Sequence, residues 1–227
     1  LKKLKKQKYV TLENFNRYIA GESTSGEDEN GLVTTVTYGN QVNRRFGTVG
    51  ADDEGGLFTR EEFHSVQVDS TGKQIPGKAW FLIKVACERD KNLQPVIELM
   101  CTLGIGGHKS IGRGYSRLVE CSRFNELDEP ENPQAFVTLS CFVPDRNDPV
   151  DGYYKVLLKY GKTDREFAAS DKPFKKALIM LAEGSVFKTI SVKGYYGSMI
   201  GNVSALNENI LHYGLAFPVA MRLKKES

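Results

Sequence analysis

The stretch LGIGGHKSIGRGYSRL, residues 103–118, carries five glycines and four side chains that are or can become positive, with no acid among them. Lys109, Arg113 and Arg117 hold fixed charge, and His108 adds to it when protonated. Glycine reaches φ > 0 at little cost and lets another backbone approach closely. The chemistry on offer is anion binding. Backbone N–H groups turned outward by Gly104, Gly106, Gly107, Gly112 and Gly114 can form a nest for phosphate oxygens. Lys109 and Arg113 can neutralise those oxygens, and Ser110 can donate a hydrogen bond. Tyr115 presents a ring on which an unpaired base can stack. A plainer reading uses the same residues: Gly104 caps a helix, and Gly112 with Gly114 lets a strand bend.

Nucleotide-cofactor cradles do not fit. The pattern GxxxxGK[ST] needs a glycine directly before Lys109, where His108 stands, and GxGxxG fails because Lys109 occupies the place of its third glycine. Both motifs also run strand, loop, helix, whereas the order here is helix, loop, strand. Catalysis has little support. The histidines, His64, His108 and His212, are scattered in sequence, and a general base needs a partner to orient it. His108 beside Lys109 has no such partner in view, and the neighbouring cation depresses its proton affinity. The carboxylates Asp52, Asp53 and Glu54, and the group Glu126, Asp128, Glu129 and Glu131, lie in polar loops where solvation is the default. The expectation is a protein that is not an enzyme and holds no metal or cofactor.

The elements around the loop follow from periodicity. NLQPVIELMCTLG predicts an amphipathic helix with Leu93, Val96, Ile97, Met100 and Leu103 on its apolar face, Pro95 in the first turn and Gly104 as the stop. YVTLENFNRYIAG predicts another, capped by Thr11, with Leu12, Phe15, Tyr18 and Ile19 on one face and Gly21 as its end. LVTTVTY, LFTREEFHSVQV, AWFLIKVACE and YSRLVECSRF read as strands. Strand, strand, helix, strand is the latter part of a ferredoxin-like unit, whose leading strand and helix have no counterpart in residues 1–56. A chain that opens on leucine suggests that this part has been cut away.

The acidic, proline-bearing NELDEPENPQ reads as a boundary, giving a first domain over 1–125 and a second, strand-rich domain over 135–227. In the second, YGLAFPVAMRL alternates Tyr213, Leu215, Phe217, Val219, Met221 and Leu223, and Pro218 assigns it to a sheet edge or a bulge. Tyr195 and Tyr196 read as packing residues. The fold class is α+β.

The 227 residues suffice for such cores, and a net charge of +3 leaves no globally basic surface, so any anion site must be local. The cysteines, Cys87, Cys101, Cys121 and Cys141, have no CxxC pair, which argues against zinc. Their apolar settings favour reduced, buried thiols and a cytoplasmic home. No apolar run approaches bilayer length, and LKKLKKQK lacks the apolar core of a secretory signal.

GIGGHKSIGRGYSR between a helix and a strand resembles the glycine-rich loop of the RAMP superfamily of CRISPR proteins. Further stretches resemble one family within it, the fourth Csm subunit of the type III-A effector complex. These are KKLKKQKYVTLENFNRYIAG, GNQVNRRFGTVGADDEGGLFTREEF, LAEGSVF and YGLAFPVAM. The sequence departs from that family at His108, where lysine or arginine is common, and at Gln41 and Asn43 beside Arg44. The resemblance implies tandem ferredoxin-like RAMP domains, the first lacking its N-terminal part. It implies a non-catalytic scaffold, in a prokaryotic cytoplasm and in antiviral defence, that holds the 5′ tag of the guide RNA. Its protein partners would be the large Cas ten-type subunit and the RAMP backbone subunit, with no membrane. Asn40 and Arg44 join the loop residues as RNA contacts on this basis alone. The alternative is a RAMP-type, metal-independent ribonuclease that processes guide precursors.

Overall fold

The computed structural model describes residues 10–23, 32–40, 57–68, 71, 73–76, 79–85, 93–106, 112–161, 163 and 174–224. Two helices and nine strands lie among them, and every strand pairing is antiparallel. The α+β class therefore holds. The chain parts into two compact units, Leu1–Thr11 with Gly26–Leu82, and Leu12–Ser25 with Ile83–Ser227.

The first unit carries one sheet in the order β1 (Leu32–Asn40), β2 (Leu57–Val68), β3 (Gln74–Pro76). β1 and β2 match the predicted strands, and β3 arises inside a segment whose Gly and Pro read as turn signals. AWFLIKVACE does not form its expected strand: residues 79–85 have no ladder, and Trp80, Phe81, Ile83 and Val85 are exposed. YSRLVECSRF likewise forms no strand ladder among the described residues. Alternating apolar residues make a segment competent to be a strand, but the strand exists only where a neighbour takes its N–H and C=O groups. Among the described residues neither segment joins a ladder, so the expected strand–strand–helix–strand unit is not closed there.

The second unit holds the core. Its sheet runs β5 (Gly152–Tyr153), β8 (Val186–Lys188), β4 (Ala135–Thr138), β9 (Pro218–Met221), beside a two-stranded ladder of β6 (Val156–Lys159) and β7 (Leu178–Leu181). Register places Phe136 opposite Phe187 and Ala220, and Val137 opposite Val186 and Val219. The period of two therefore sends phenylalanines to one face and valines to the other. On the first face Phe136 stacks on Tyr196, with ring centroids 4.0 Å apart, while Phe142 meets Phe187 edge-on. Tyr196 is thus a core residue, whereas Tyr195 is exposed. On the second face Val137 and Val219 close over Ile19 and Phe15 of α1 (Leu12–Ile19).

The end of α1 is built as expected. Gly21 sits at φ +86°, its N–H donates to the Tyr18 carbonyl, and the Glu22 N–H donates to that of Arg17. These two bonds form a Schellman cap. The Ile19 carbonyl then accepts from the Arg222 N–H at 2.8 Å, tying the helix to the end of β9.

Pro218 does mark an edge. Among the described residues β9 pairs only with β4, and its outward groups are covered: the Ala220 N–H donates to Glu129 Oε2 at 2.8 Å, and Lys84 Nζ donates to the Pro218 carbonyl at 3.4 Å. Covering an edge in this way blocks pairing with another chain. The expected one-sided alternation of this strand is incomplete, because Ala216 and Ala220 on the other face are buried too.

NELDEPENPQ, read as a boundary, is anchored to α1 and the valine face. Asn16 Nδ2 donates to the Glu126 carbonyl at 2.8 Å and to Asp128 Oδ2 at 3.1 Å, and Leu127 packs against the valine face. This stretch lies inside the second compact unit, which extends back to Ile83 rather than starting at 135. Asp128 and Glu129 serve as acceptors for that anchoring.

Candidate nucleic-acid interface

α2 (Leu93–Leu103) leads into the glycine-rich loop, with Pro95 in its first turn as expected. Its inward stripe is narrower than predicted. Ile97 and Cys101 are buried and Leu93 half-buried, an i, i+4, i+8 line that continues to buried Gly104. Val96, Met100 and Leu103, expected in the core, are 46–55% exposed. The small thiol of Cys101 takes the place that the wider stripe gave to larger side chains.

Gly104 ends the helix at φ +88°, and Gly106, Gly112 and Gly114 follow at +97°, +78° and +73°. The returning limb of the loop closes onto the outgoing one through two backbone bonds. The Ile105 N–H donates to the Gly114 carbonyl at 2.9 Å, and the Ser116 N–H donates to the Cys101 carbonyl at 3.1 Å. The second bond satisfies one of the carbonyls that a helix C-terminus leaves without an intrahelical partner. Gly114 is where only glycine fits, since a Cβ there would strike the Ile105 carbonyl. The helix thus fixes a neck, and the neck presents the loop.

A Cβ at Gly106 or Gly112 would meet nothing within 4 Å, and neither N–H finds an acceptor among the described residues. Such N–H groups are what an anion nest requires. The Ile105 and Ser116 N–H groups, by contrast, are committed to the neck. Arg113 and Arg117 are exposed, and Tyr115, 71% exposed, stands directly after Gly114. This segment carries two exposed cations, an exposed aromatic ring and two backbone donors with no acceptor among the described residues.

The other site residues read from the sequence are not all gathered here. Gly107, His108, Lys109, Ser110 and Arg44 lie outside the described residues. Asn40 ends β1, paired with Leu57, in the first compact unit, whereas the loop belongs to the second. His64 is on β2, and His212 is bridged to Ile200 in the second unit. Among the described residues no group of three or more His, Cys, Asp or Glu could hold a metal ion. Cys101 is buried as expected, but Cys121 is exposed and Cys141 half-buried, and all three are unpaired. No helix among the described residues is long and apolar enough to cross a membrane. The neck itself was not legible in the sequence, because backbone-to-backbone bonds leave no side-chain signature.

No protein-family model matches this sequence, and no curated protein does. Among solved structures, a chain of the crystal structure of the Csm1-Csm4 cassette in complex with cA4 matches with a TM-score of 0.54 and 18% identity. The fold is that of a Csm cassette chain. The match covers 99% of this chain, both compact units included, and 66% of the other, so this chain spans just under two thirds of its neighbour's length. The structural neighbour is a Csm1-Csm4 cassette, in agreement with the resemblance of the sequence to a Csm subunit.

Proposed function

We propose that this protein is a non-catalytic, RNA-binding scaffold subunit of a type III-A CRISPR effector, which holds the 5′ tag of the guide RNA. Its partners in this reading are the guide RNA, the large Cas ten-type subunit and the RAMP backbone subunit, in a prokaryotic cytoplasm. The observation that carries it is the necked glycine loop, on a chain whose fold matches a Csm cassette chain over 99% of its length. The open N–H groups of Gly106 and Gly112, with Lys109 and Arg113, bind phosphates. Tyr115 stacks a base, and Asn40 and Arg44 are further RNA contacts implied by the family resemblance. Tandem RAMP domains are the corresponding arrangement of the chain.

Titration with tag and scrambled-tag oligoribonucleotides tests the reading. Wild type should prefer the tag, and Tyr115→Ala should lose a base-stacking contribution of about 1–3 kcal/mol together with that preference. Equal affinity of wild type for both oligonucleotides, with no effect of Tyr115→Ala, would remove the tag-holding role.

The protein should also leave RNA intact. His108 has no orienting partner in the sequence, so His108→Ala should not change any trace of cleavage seen in a preparation. Metal-free cleavage of repeat RNA that disappears in this variant would establish the ribonuclease instead.

A further inference from the structure

A cleft in the second compact unit lies beside β9. Residues 129–133 of the acidic, proline-bearing stretch line it from one side, and the turn at residues 190–194 lines it from another. Lys84 and Ala220 complete the lining, and the cavity measures about 450 Å³. That volume is within the range of small-ligand sites, roughly 300–1,000 Å³.

Both sides are anchored. The Thr189 N–H donates to the Gln134 carbonyl at 3.0 Å, which joins them. The turn hangs on buried Tyr196, whose hydroxyl accepts from the Lys193 N–H at 3.0 Å and donates to the Ser191 carbonyl at 3.3 Å. Thr189 Oγ1 donates to the same carbonyl at 2.9 Å. Glu129 is held in turn by the Ala220 N–H. A cleft fixed in this way costs little ordering when a ligand enters.

The lining carries both signs of charge. The Lys193 ammonium stands 5.6 Å from the centroid of the Tyr196 ring, and that of Lys84 stands 5.7 Å from the Phe217 centroid. Two separate segments thus bring a cation to the cleft, while Glu129 and Glu131 bring carboxylates. Pro130, Pro133 and Ile190, the last 98% exposed, supply apolar surface. This mixture discriminates between classes of ligand. Phosphates of a nucleic acid would meet the two lysines but be repelled by the two glutamates. A peptide satisfies both signs. Its carboxylate side chain accepts charge-assisted bonds from the ammonium groups, and its main-chain N–H groups donate to the glutamates.

We propose that this cleft docks an extended segment of a partner protein, with an acidic side chain between Lys84 and Lys193. Apolar residues flanking that acid cover the prolines and Ile190. The site goes beyond the RNA-holding reading and stands without it, since none of its residues belongs to the glycine loop.

The test uses the full chain, isotope-labelled for nuclear magnetic resonance of its amides. Acetyl-valyl-glutamyl-valine amide is titrated through the millimolar range. The cleft predicts saturable shifts at the Ser191, Val192, Lys193 and Ala220 amides. The glutaminyl analogue should bind the same wild-type protein roughly tenfold more weakly, because it loses the charge-assisted contact. Lys84→Gln/Lys193→Gln, with its thermal midpoint checked against wild type, should bring the two peptides to similar affinity. If that variant melts early, the pair of peptides on wild type decides. A short oligouridylate without terminal phosphates represents the competing class and should leave these amides in place. No saturable shift with the glutamyl peptide, equal affinity of wild type for both peptides, or a response to oligouridylate instead overturns the proposal.

Discussion

Gly114→Val should undo the neck of the loop. At φ +73° a β-branched residue is strained, and its Cβ would strike the Ile105 carbonyl. Left-handed backbone strain plus overpacking against a neighbouring main chain costs about 2–4 kcal/mol. The bonds lost are Ile105 N–H to Gly114 and Ser116 N–H to Cys101, so amide exchange reads the effect at named positions. Protection of the Ile105 and Ser116 amides should fall by roughly thirtyfold or more. Gly106→Ala and Gly112→Ala form the control, because their Cβ atoms enter open space and cost only the backbone strain of about 1–2 kcal/mol. RNA affinity should follow the neck, with little change in salt dependence, since no charge has been removed. If Gly114→Val and Gly106→Ala behave alike, the neck is not what holds the loop.

The second large effect is electrostatic. Lys109→Gln/Arg113→Gln should weaken single-stranded RNA of every sequence and leave the neck amides protected. Each phosphate neutralised on a single strand contributes a slope of about −0.7 to log K against log salt, so the double variant should flatten it by roughly 1–1.5. At physiological salt that amounts to roughly tenfold in affinity. Preference for the tag should outlast the charge change, because phosphates position the strand and bases specify it. A double variant that binds as tightly as wild type at every salt concentration would show that RNA sits elsewhere.

The two variants separate the loop's shape from its charge, and the sequence spoke unequally about these. Charge was legible: Arg113 and Arg117 are exposed as a polar reading requires. So was the backbone demand of the glycines, since Gly104, Gly106, Gly112 and Gly114 all have positive φ. Local caps and edges were legible too, as Gly21 and Pro218 show, because they depend on a residue's own backbone chemistry. What failed was whatever depends on a distant partner. Residues 79–85 and 115–124 have the composition of strands, yet join no ladder among the described residues. The outer residues of α2, Val96, Met100 and Leu103, have core composition but lie outside its inward stripe. Asp128 and Glu129 looked like solvated acids, yet one is bonded to the Asn16 side chain and the other caps the edge of β9.

The most direct test of the guide-holding role is the nucleic acid that accompanies the protein. The protein would be purified natively from its own cells with its assembled complex, and the bound RNA extracted and sequenced. A guide-holding subunit predicts RNAs that share one 5′ tag derived from the repeat, followed by varied sequence. RNA without a common 5′ end, or no RNA at all, would contradict that role.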